Sequence, residues 1–201
     1  DGSIENGFEI VSNPFSWEFF KKRQDVFFPI YQLLQQGMGS DDYETCGFHI
    51  HLNREAFSTL HLYKFMSFIY QQPDAMTIIA ERNSGRYASY NRPDQGLARK
   101  AMGDTMDGKY VAINNSNRKT VELRIFKGSL EPKRFKKNME FAHALWRYSR
   151  GRAIRHLNIT NFMDWVQRHS KTYRNLYAFL EANHIPLSSC PVISVKKRAR
   201  R

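Results

Sequence analysis

Two histidines separated by one residue are the first group in this sequence that could do chemistry. His49 and His51 lie in the stretch CGFHIHLNRE, where they alternate with apolar residues. If this stretch is a β-strand, successive side chains point to opposite faces, so both imidazoles lie on one face. The stretch TVELRIF alternates in the same way and places Glu122 and Arg124 on one face. The two patterns predict two half-buried strands that each present a pair of ionisable side chains.

A carboxylate inside a third apolar stretch extends this pattern. Glu9 lies in GFEIVSNP, which predicts a short strand that ends at Asn13 and Pro14. A buried carboxylate is costly unless it is paired or binds a metal. Carboxylates and imidazole on one sheet face would suit Mg²⁺ or Mn²⁺, and an adjacent arginine would suit the phosphate oxygens that such an ion also coordinates. Together the three strands predict a site for a metal ion and phosphate.

Each pattern also has a simpler interpretation. A lone His-x-His pair is more often part of a half-exposed strand with ordinary hydrogen bonds, and Glu122 with Arg124 could be an ion pair of small energetic value. A further alternative is a hydrolase that uses the histidines and the glutamate to hold zinc and its bound water. Arg124 argues against zinc, because a cation beside arginine needs an anionic ligand for balance. The residues alone leave these alternatives open.

Hydrophobic spacing and turn formers predict the elements that position these residues. Helices are predicted over 16–36, from Asn53 to about Gln72, and over 131–151. The stretch KYVAINNS predicts a strand that pairs with TVELRIF through the turn NNSNRK, and residues 161–183 predict two more helical stretches. This order favours an α+β fold in which helices pack on one face of an antiparallel β-sheet.

Composition limits the class of protein. The chain has 201 residues, 41% of them hydrophobic, and a formal net charge of +12, as expected for a globular domain attracted to an anionic partner such as nucleotide, nucleic acid, an acidic polymer or a membrane surface. Two cysteines are too few for a disulfide framework and favour a reducing compartment. The sequence shows no apolar stretch typical of a membrane span or a secretory signal. We therefore expect a cytoplasmic protein without a membrane partner.

The order of the stretches DGSIENGFEIVS, CGFHIHLN, KYVAINNS and TVELRIFKGSLEPKRF resembles that of the phage and bacterial amidoligases, relatives of glutamine synthetase and glutamate–cysteine ligase. The resemblance extends over roughly residues 1–150. It implies a catalytic domain like that of glutamine synthetase, with ATP and Mg²⁺ or Mn²⁺ as cofactors. The implied reaction joins an unidentified carboxylate to an unidentified amine through an acyl phosphate. A phage-encoded member would act in the host cytoplasm or belong to the virion.

The resemblance implies four metal ligands. Asp1 and Glu9 match an acidic pair that shares one ion, and His49 and Glu122 match ligands of a second ion. Family members begin with a strand whose Glu-x-Glu pair gives a ligand to each metal. Because that strand would precede Asp1, we expect an N-terminally truncated member or one that has lost part of its metal chemistry.

The resemblance also implies groups that contact the nucleotide. His51 matches a histidine that approaches the phosphates, and Arg124 matches an arginine that assists phosphoryl transfer. Arg82 and Arg86, in AERNSGRYASY, match positions that contact nucleotide or substrate. Thr120 departs from the pattern, since the larger enzymes usually have an arginine there.

We divide the chain into an amidoligase-like α+β domain over 1–156, a helical extension of that domain over 157–189 and a basic tail over 190–201. The stretch RYSRGRAIRH and the tail combine arginines with nearby aromatic residues, a pattern compatible with nucleic-acid binding and equally with a solvated charged face. The alternative to the ligase is therefore a noncatalytic phage structural or nucleic-acid-binding protein on a degenerate ligase fold. Assembly into an oligomer or a virion stays open.

Overall fold

The computed structural model describes residues 7–40, 46–83, 88–91, 96–103, 108 and 110–186, and within them the chain has an α+β fold. Its strands are β1 at Gly47–Asn53, β2 at Ile113–Asn114 and β3 at Thr120–Lys127. They form an antiparallel sheet in the order β1-β3-β2.

Helices make up most of the remaining described structure. Short 3-10 turns at Gln24–Phe27, Arg54–Ala56 and Ile154–His156 join some of them. The α-helices are α1 at Trp17–Lys22, α2 at Phe28–Gln35, α3 at Thr59–Gln71, α4 at Pro73–Ala80, α5 at Leu97–Ala101, α6 at Pro132–Gly151, α7 at Ile159–Arg168 and α8 at Arg174–Ala182.

The central strand β3 supplies the buried apolar row of the sheet. Leu123 pairs with Ile50 of β1 and with Ile113 of β2, and all three side chains are buried. Burying one such side chain contributes about 1.5–3 kcal/mol. These residues belong to a core cluster that also includes residues of α3, α4, α6, α7 and α8. The row therefore fixes which face of β3 is turned away from the core.

The longest helix, α6, packs against α3, α7 and α8. It begins where the sequence predicts: Pro132 occupies the first turn, and the side chain of Glu131 accepts hydrogen bonds from the backbone N–H groups of Lys133 and Arg134. The backbone N–H groups at the beginning of a helix lack partners within it, so this carboxylate stabilises the start of α6.

Two predictions for the N-terminal region are wrong. Residues 7–14 form no strand, and their apolar residues stay exposed, with Val11 80% exposed. The single helix predicted over 16–36 is interrupted, because Arg23 leaves the helical conformation and Pro29 supports a new start at α2. Ser16 nonetheless accepts a hydrogen bond at the beginning of α1, as a capping residue does.

Three further features of the secondary structure differ from the predictions. Asn53 caps a 3-10 turn, and α3 begins only after Ser58, whose hydroxyl accepts from the N–H of His61. Within the described part of KYVAINNS, the paired strand is limited to Ile113–Asn114. Leu97–Ala101 forms a helix that the spacing did not predict.

No helix within the described ranges has both the length and the hydrophobicity needed to cross a lipid bilayer.

Candidate functional site

The candidate site lies on the face of the sheet opposite the Leu123 row. Glu122 of β3 is paired across the sheet with His51 of β1 and with Asn114 of β2. Side chains that are opposite one another in antiparallel strands lie close together on one face. The register therefore places a carboxylate between an imidazole and an amide.

His49 approaches the same carboxylate from an irregular part of β1. The strand register shifts between Phe48 and Ile50, yet Nδ1 of His49 lies 3.2 Å from Oε1 of Glu122. Nε2 of His51 lies 3.8 Å from that oxygen. The two imidazoles thus lie on one side of the sheet, as their spacing predicts.

Glu122 also accepts hydrogen bonds from Arg124 and Asn114. Nη1 of Arg124 donates to Oε1 at 2.5 Å, and Nδ2 of Asn114 donates to Oε2 at 3.0 Å. Glu122 is 8% exposed, and its burial alone would raise the pKa of the carboxyl group. The hydrogen bond from His49, the charge of Arg124 and the Asn114 amide outweigh burial and lower the pKa of Glu122 to about 2. The carboxylate is therefore ionised at neutral pH.

Arg82 adds a second guanidinium beside β1. Its Nη1 donates to the backbone carbonyls of Arg124 and Phe126, each at 3.4 Å. A Cβ atom at Gly47 would lie 2.7 Å from Nε2 of His49 and 3.0 Å from Nη1 of Arg82. The missing side chain at Gly47 therefore leaves room for the imidazole and the guanidinium to lie next to each other.

The sequence predictions missed Gly47 and Asn114. Neither residue type carries charge, so neither was conspicuous among the ionisable groups. The available signals were a glycine two residues before His49 and an asparagine in a stretch predicted to pair with β3.

The remaining predicted site residues lie apart from this cluster or beyond the described ranges. Asp1 and Arg86 fall outside the described residues. Glu9 lies on the exposed segment without strand structure, and in the described part of the chain no hydrogen bond or ion pair joins it to the cluster. The structure brings together His49, His51, Arg82, Glu122 and Arg124.

The described residues do not by themselves fit the two metal ions that the resemblance implies, or the zinc ion of the hydrolase alternative. Among them, no group of three or more histidine, cysteine, aspartate or glutamate side chains is arranged to hold a metal ion. Both oxygens of Glu122 already accept hydrogen bonds. Among the described residues, the cluster combines two guanidinium groups and two imidazoles with one carboxylate, that of Glu122. This arrangement favours an anion, and arginine suits phosphate in particular.

Comparison of the chain with protein-family models, with curated proteins and with solved structures gave no match. The function is therefore inferred from the residues of this chain and their geometry, together with the motif resemblance.

Proposed function

We propose that the polar face of the sheet binds the phosphates of ATP, and that the protein is an ATP-dependent carboxylate–amine ligase. The observation that supports this best is the grouping of two arginines and two histidines around one ionised carboxylate, with the opposite sheet face buried. The antiparallel sheet and its helices are compatible with a domain like that of glutamine synthetase. Mg²⁺ would arrive with the nucleotide as part of the substrate Mg·ATP.

Glu122 gives Arg124 a fixed position for this role. The 2.5 Å hydrogen bond to Nη1 engages one donor of the guanidinium, and Nε of Arg124 is buried without an acceptor among the described residues. Cations held in place before the substrate binds stabilise the charge that develops during phosphoryl transfer, because they need not reorganise. Arg124 is accordingly our candidate for contact with the transferred phosphoryl group.

His51 is the accessible imidazole of the cluster. Its side chain is 53% exposed, and Nδ1 lies 3.2 Å from the hydroxyl oxygen of Thr120. Thr120 stands where the larger enzymes usually have an arginine, so here it contributes a hydrogen bond to the imidazole in place of a charge. His51 can contact nucleotide phosphates without displacing buried structure.

The proposed reaction needs no nucleophile from the protein. A carboxylate oxygen of the substrate attacks the γ-phosphorus of ATP, and ADP leaves. The nitrogen of the amine substrate then attacks the acyl carbon, inorganic phosphate leaves, and the nitrogen loses a proton as the amide forms. The site residues contribute position and electrostatic stabilisation.

Calorimetric titration of Mg·ATP into the full chain tests the binding step. We expect the parent protein to bind and His51→Ala to bind about tenfold more weakly, because one hydrogen bond to a charged group is lost. His184→Ala is the matched control, since His184 is exposed and lies after α8. Failure of the parent to bind, or equal loss in both variants, would show that this face is not the nucleotide site.

Trapping with hydroxylamine tests the chemical step. An acyl phosphate formed from ATP and a member of a carboxylate panel would give a hydroxamate, and Arg124→Lys should lower its rate of formation at saturating ATP. Nucleotide binding with no hydroxamate from any carboxylate would contradict the ligase and favour a binding protein.

A further inference from the structure

Exposed arginines at the end of α6 lie against aromatic rings. The guanidinium of Arg150 lies 5.4 Å from the ring centre of Trp146, and that of Arg152 lies 5.6 Å from the ring centre of Tyr148. Such contacts hold the guanidinium in place while its N–H donors can still bind an anion. These side chains therefore lose less conformational entropy on binding than free arginines would.

Three arginines near the end of α6 form no ion pair with a described carboxylate. In the part of the chain that the structure describes, no ion pair joins Arg147, Arg150 or Arg152 to an acidic side chain. Arg150 lies in the last turn of α6 and Arg152 is its C-cap residue. The dipole of the helix therefore favours both cations at this position without neutralising their charge.

A pocket beside α6 extends the basic region. It has a volume of about 270 Å³, and its lining includes Lys64 of α3, Arg150 of α6 and one carboxylate, that of Glu55. Burial lowers the pKa of His61, and the charges of Arg150 and Lys64 lower it further, against a hydrogen bond to the Trp146 carbonyl. The positive potential of the two cations thus reaches the buried imidazole.

We propose that a basic surface at the end of α6 binds the phosphate backbone of a nucleic acid. This surface, which we call the α6 arginine surface, consists of Lys64, Arg147, Arg150, Arg152 and Arg155. Arginine outnumbers lysine on it, and the planar guanidinium pairs with two phosphate oxygens at once. Leu60 is the exposed large apolar residue at the pocket, so the surface offers little for insertion into lipid.

Fluorescence anisotropy with a labelled 20-nucleotide single strand and the corresponding duplex tests the proposal on the full chain. We expect salt-dependent binding of at least one of them. Exchange of Arg150, Arg152 and Arg155 for glutamine should weaken that binding at least tenfold at 100 mM salt. The slope of log Kd against log salt should fall by about two, since each lost phosphate contact removes roughly 0.7–0.9.

A second triple variant separates the surface from net charge. Exchange of Arg118, Lys119 and Lys133 for glutamine removes the same charge from exposed positions elsewhere. Equal losses in the two triple variants, unchanged binding by the arginine variant, or no binding by the parent would each overturn the proposal. So would binding to anionic vesicles without binding to either nucleic acid.

Two more variants control for folding and for the sheet site. Exchange of the same three arginines for lysine keeps the charge and removes the planar donors, so it should give intermediate affinity with unchanged thermal unfolding. His51→Ala should leave nucleic-acid binding unchanged. Loss of binding in His51→Ala would place the nucleic acid at the sheet site and contradict the proposal.

Discussion

At the scale of single residues, Glu122 makes a measurable contribution to folding. Its pKa is about 2 in the folded protein, against an ordinary value of 4.5. The ionised carboxylate therefore stabilises the fold above about pH 4.5, and this contribution is lost as the pH falls toward 2. The pKa difference corresponds to roughly 3 kcal/mol. We expect Glu122→Gln, in EDTA, to lower the free energy of unfolding at pH 7 by about 2–3 kcal/mol, measured by urea denaturation.

The pH profile distinguishes this effect from a general loss of packing. Between pH 4.5 and 2 the parent should lose stability more steeply than Glu122→Gln. Glu55→Gln, at an exposed carboxylate, should change the free energy of unfolding by less than about 0.5 kcal/mol. Parallel profiles for the parent and Glu122→Gln would contradict the assignment of these contacts.

The sequence identified the ionisable residues of this site but not all of their partners. Alternation along β1 and β3 indicated that His49, His51, Glu122 and Arg124 could share a face, because the period of a strand is a local property. Asn114 reaches the site only because β2 pairs with β3. Gly47 matters only because Arg82 packs next to β1. Such relations between distant parts of the chain leave no periodic signal.

At the scale of elements, Lys137 joins α6 to the end of α4. Its Nζ donates to the carbonyl of Ile79 at 2.5 Å and lies 2.9 Å from Oε2 of Glu81. Glu81 ends α4 in the left-handed conformation, with φ of 53°. Burial lowers the pKa of Lys137 to about 8, although Glu81 raises it in part. The link between the helices thus contains a charge that burial disfavours.

The sign of the pH effect follows from this lowered pKa. Between about pH 8 and 10.5 the unfolded chain keeps the lysine proton and the folded protein does not, so folding becomes more favourable as the pH rises. From pH 7.5 to 10 we expect the free energy of unfolding of the parent to rise by roughly 1–3 kcal/mol relative to that of Lys137→Met, measured by urea denaturation. Buried tyrosines titrate in both proteins, so the difference between the proteins is the readout. Lys133→Met, at an exposed position, should show the same change of stability with pH as the parent. If Lys137→Met also shows that change, the link between α6 and α4 is contradicted.

Element prediction succeeded where one face of an element packs against the core along its length. β1, β3 and α6 meet this condition, and their spacing identified them. Residues 7–14 show strand-like alternation but stay exposed, since no described strand pairs with them. A local pattern indicates that an element could be buried, whereas partners elsewhere in the chain decide whether it is.

At the scale of the whole molecule, a buried carboxylate of α6 fixes where α8 begins. Oε2 of Glu140 accepts from the backbone N–H of Leu176 at 2.8 Å, and Oε1 accepts from Nδ2 of Asn175 at 2.6 Å. The order of predicted elements was sufficient for the α+β class. It could not indicate this contact, because a glutamate on a helix is normally expected to be exposed to solvent. Glu140 is buried only because α8 packs against α6.

Leu176 provides a test of whether α8 and the sheet unfold together. Its side chain is fully buried in the core cluster that also contains Leu123 of β3. We expect Leu176→Ala to lower the free energy of unfolding by about 2–5 kcal/mol through the cavity it leaves. Urea transitions followed by far-ultraviolet circular dichroism and by tryptophan fluorescence should coincide, since a shared core unfolds cooperatively. Leu60→Ala, at a side chain that is 56% exposed, should leave the midpoint nearly unchanged. Separate transitions in Leu176→Ala would show that α8 can leave while the sheet stays folded.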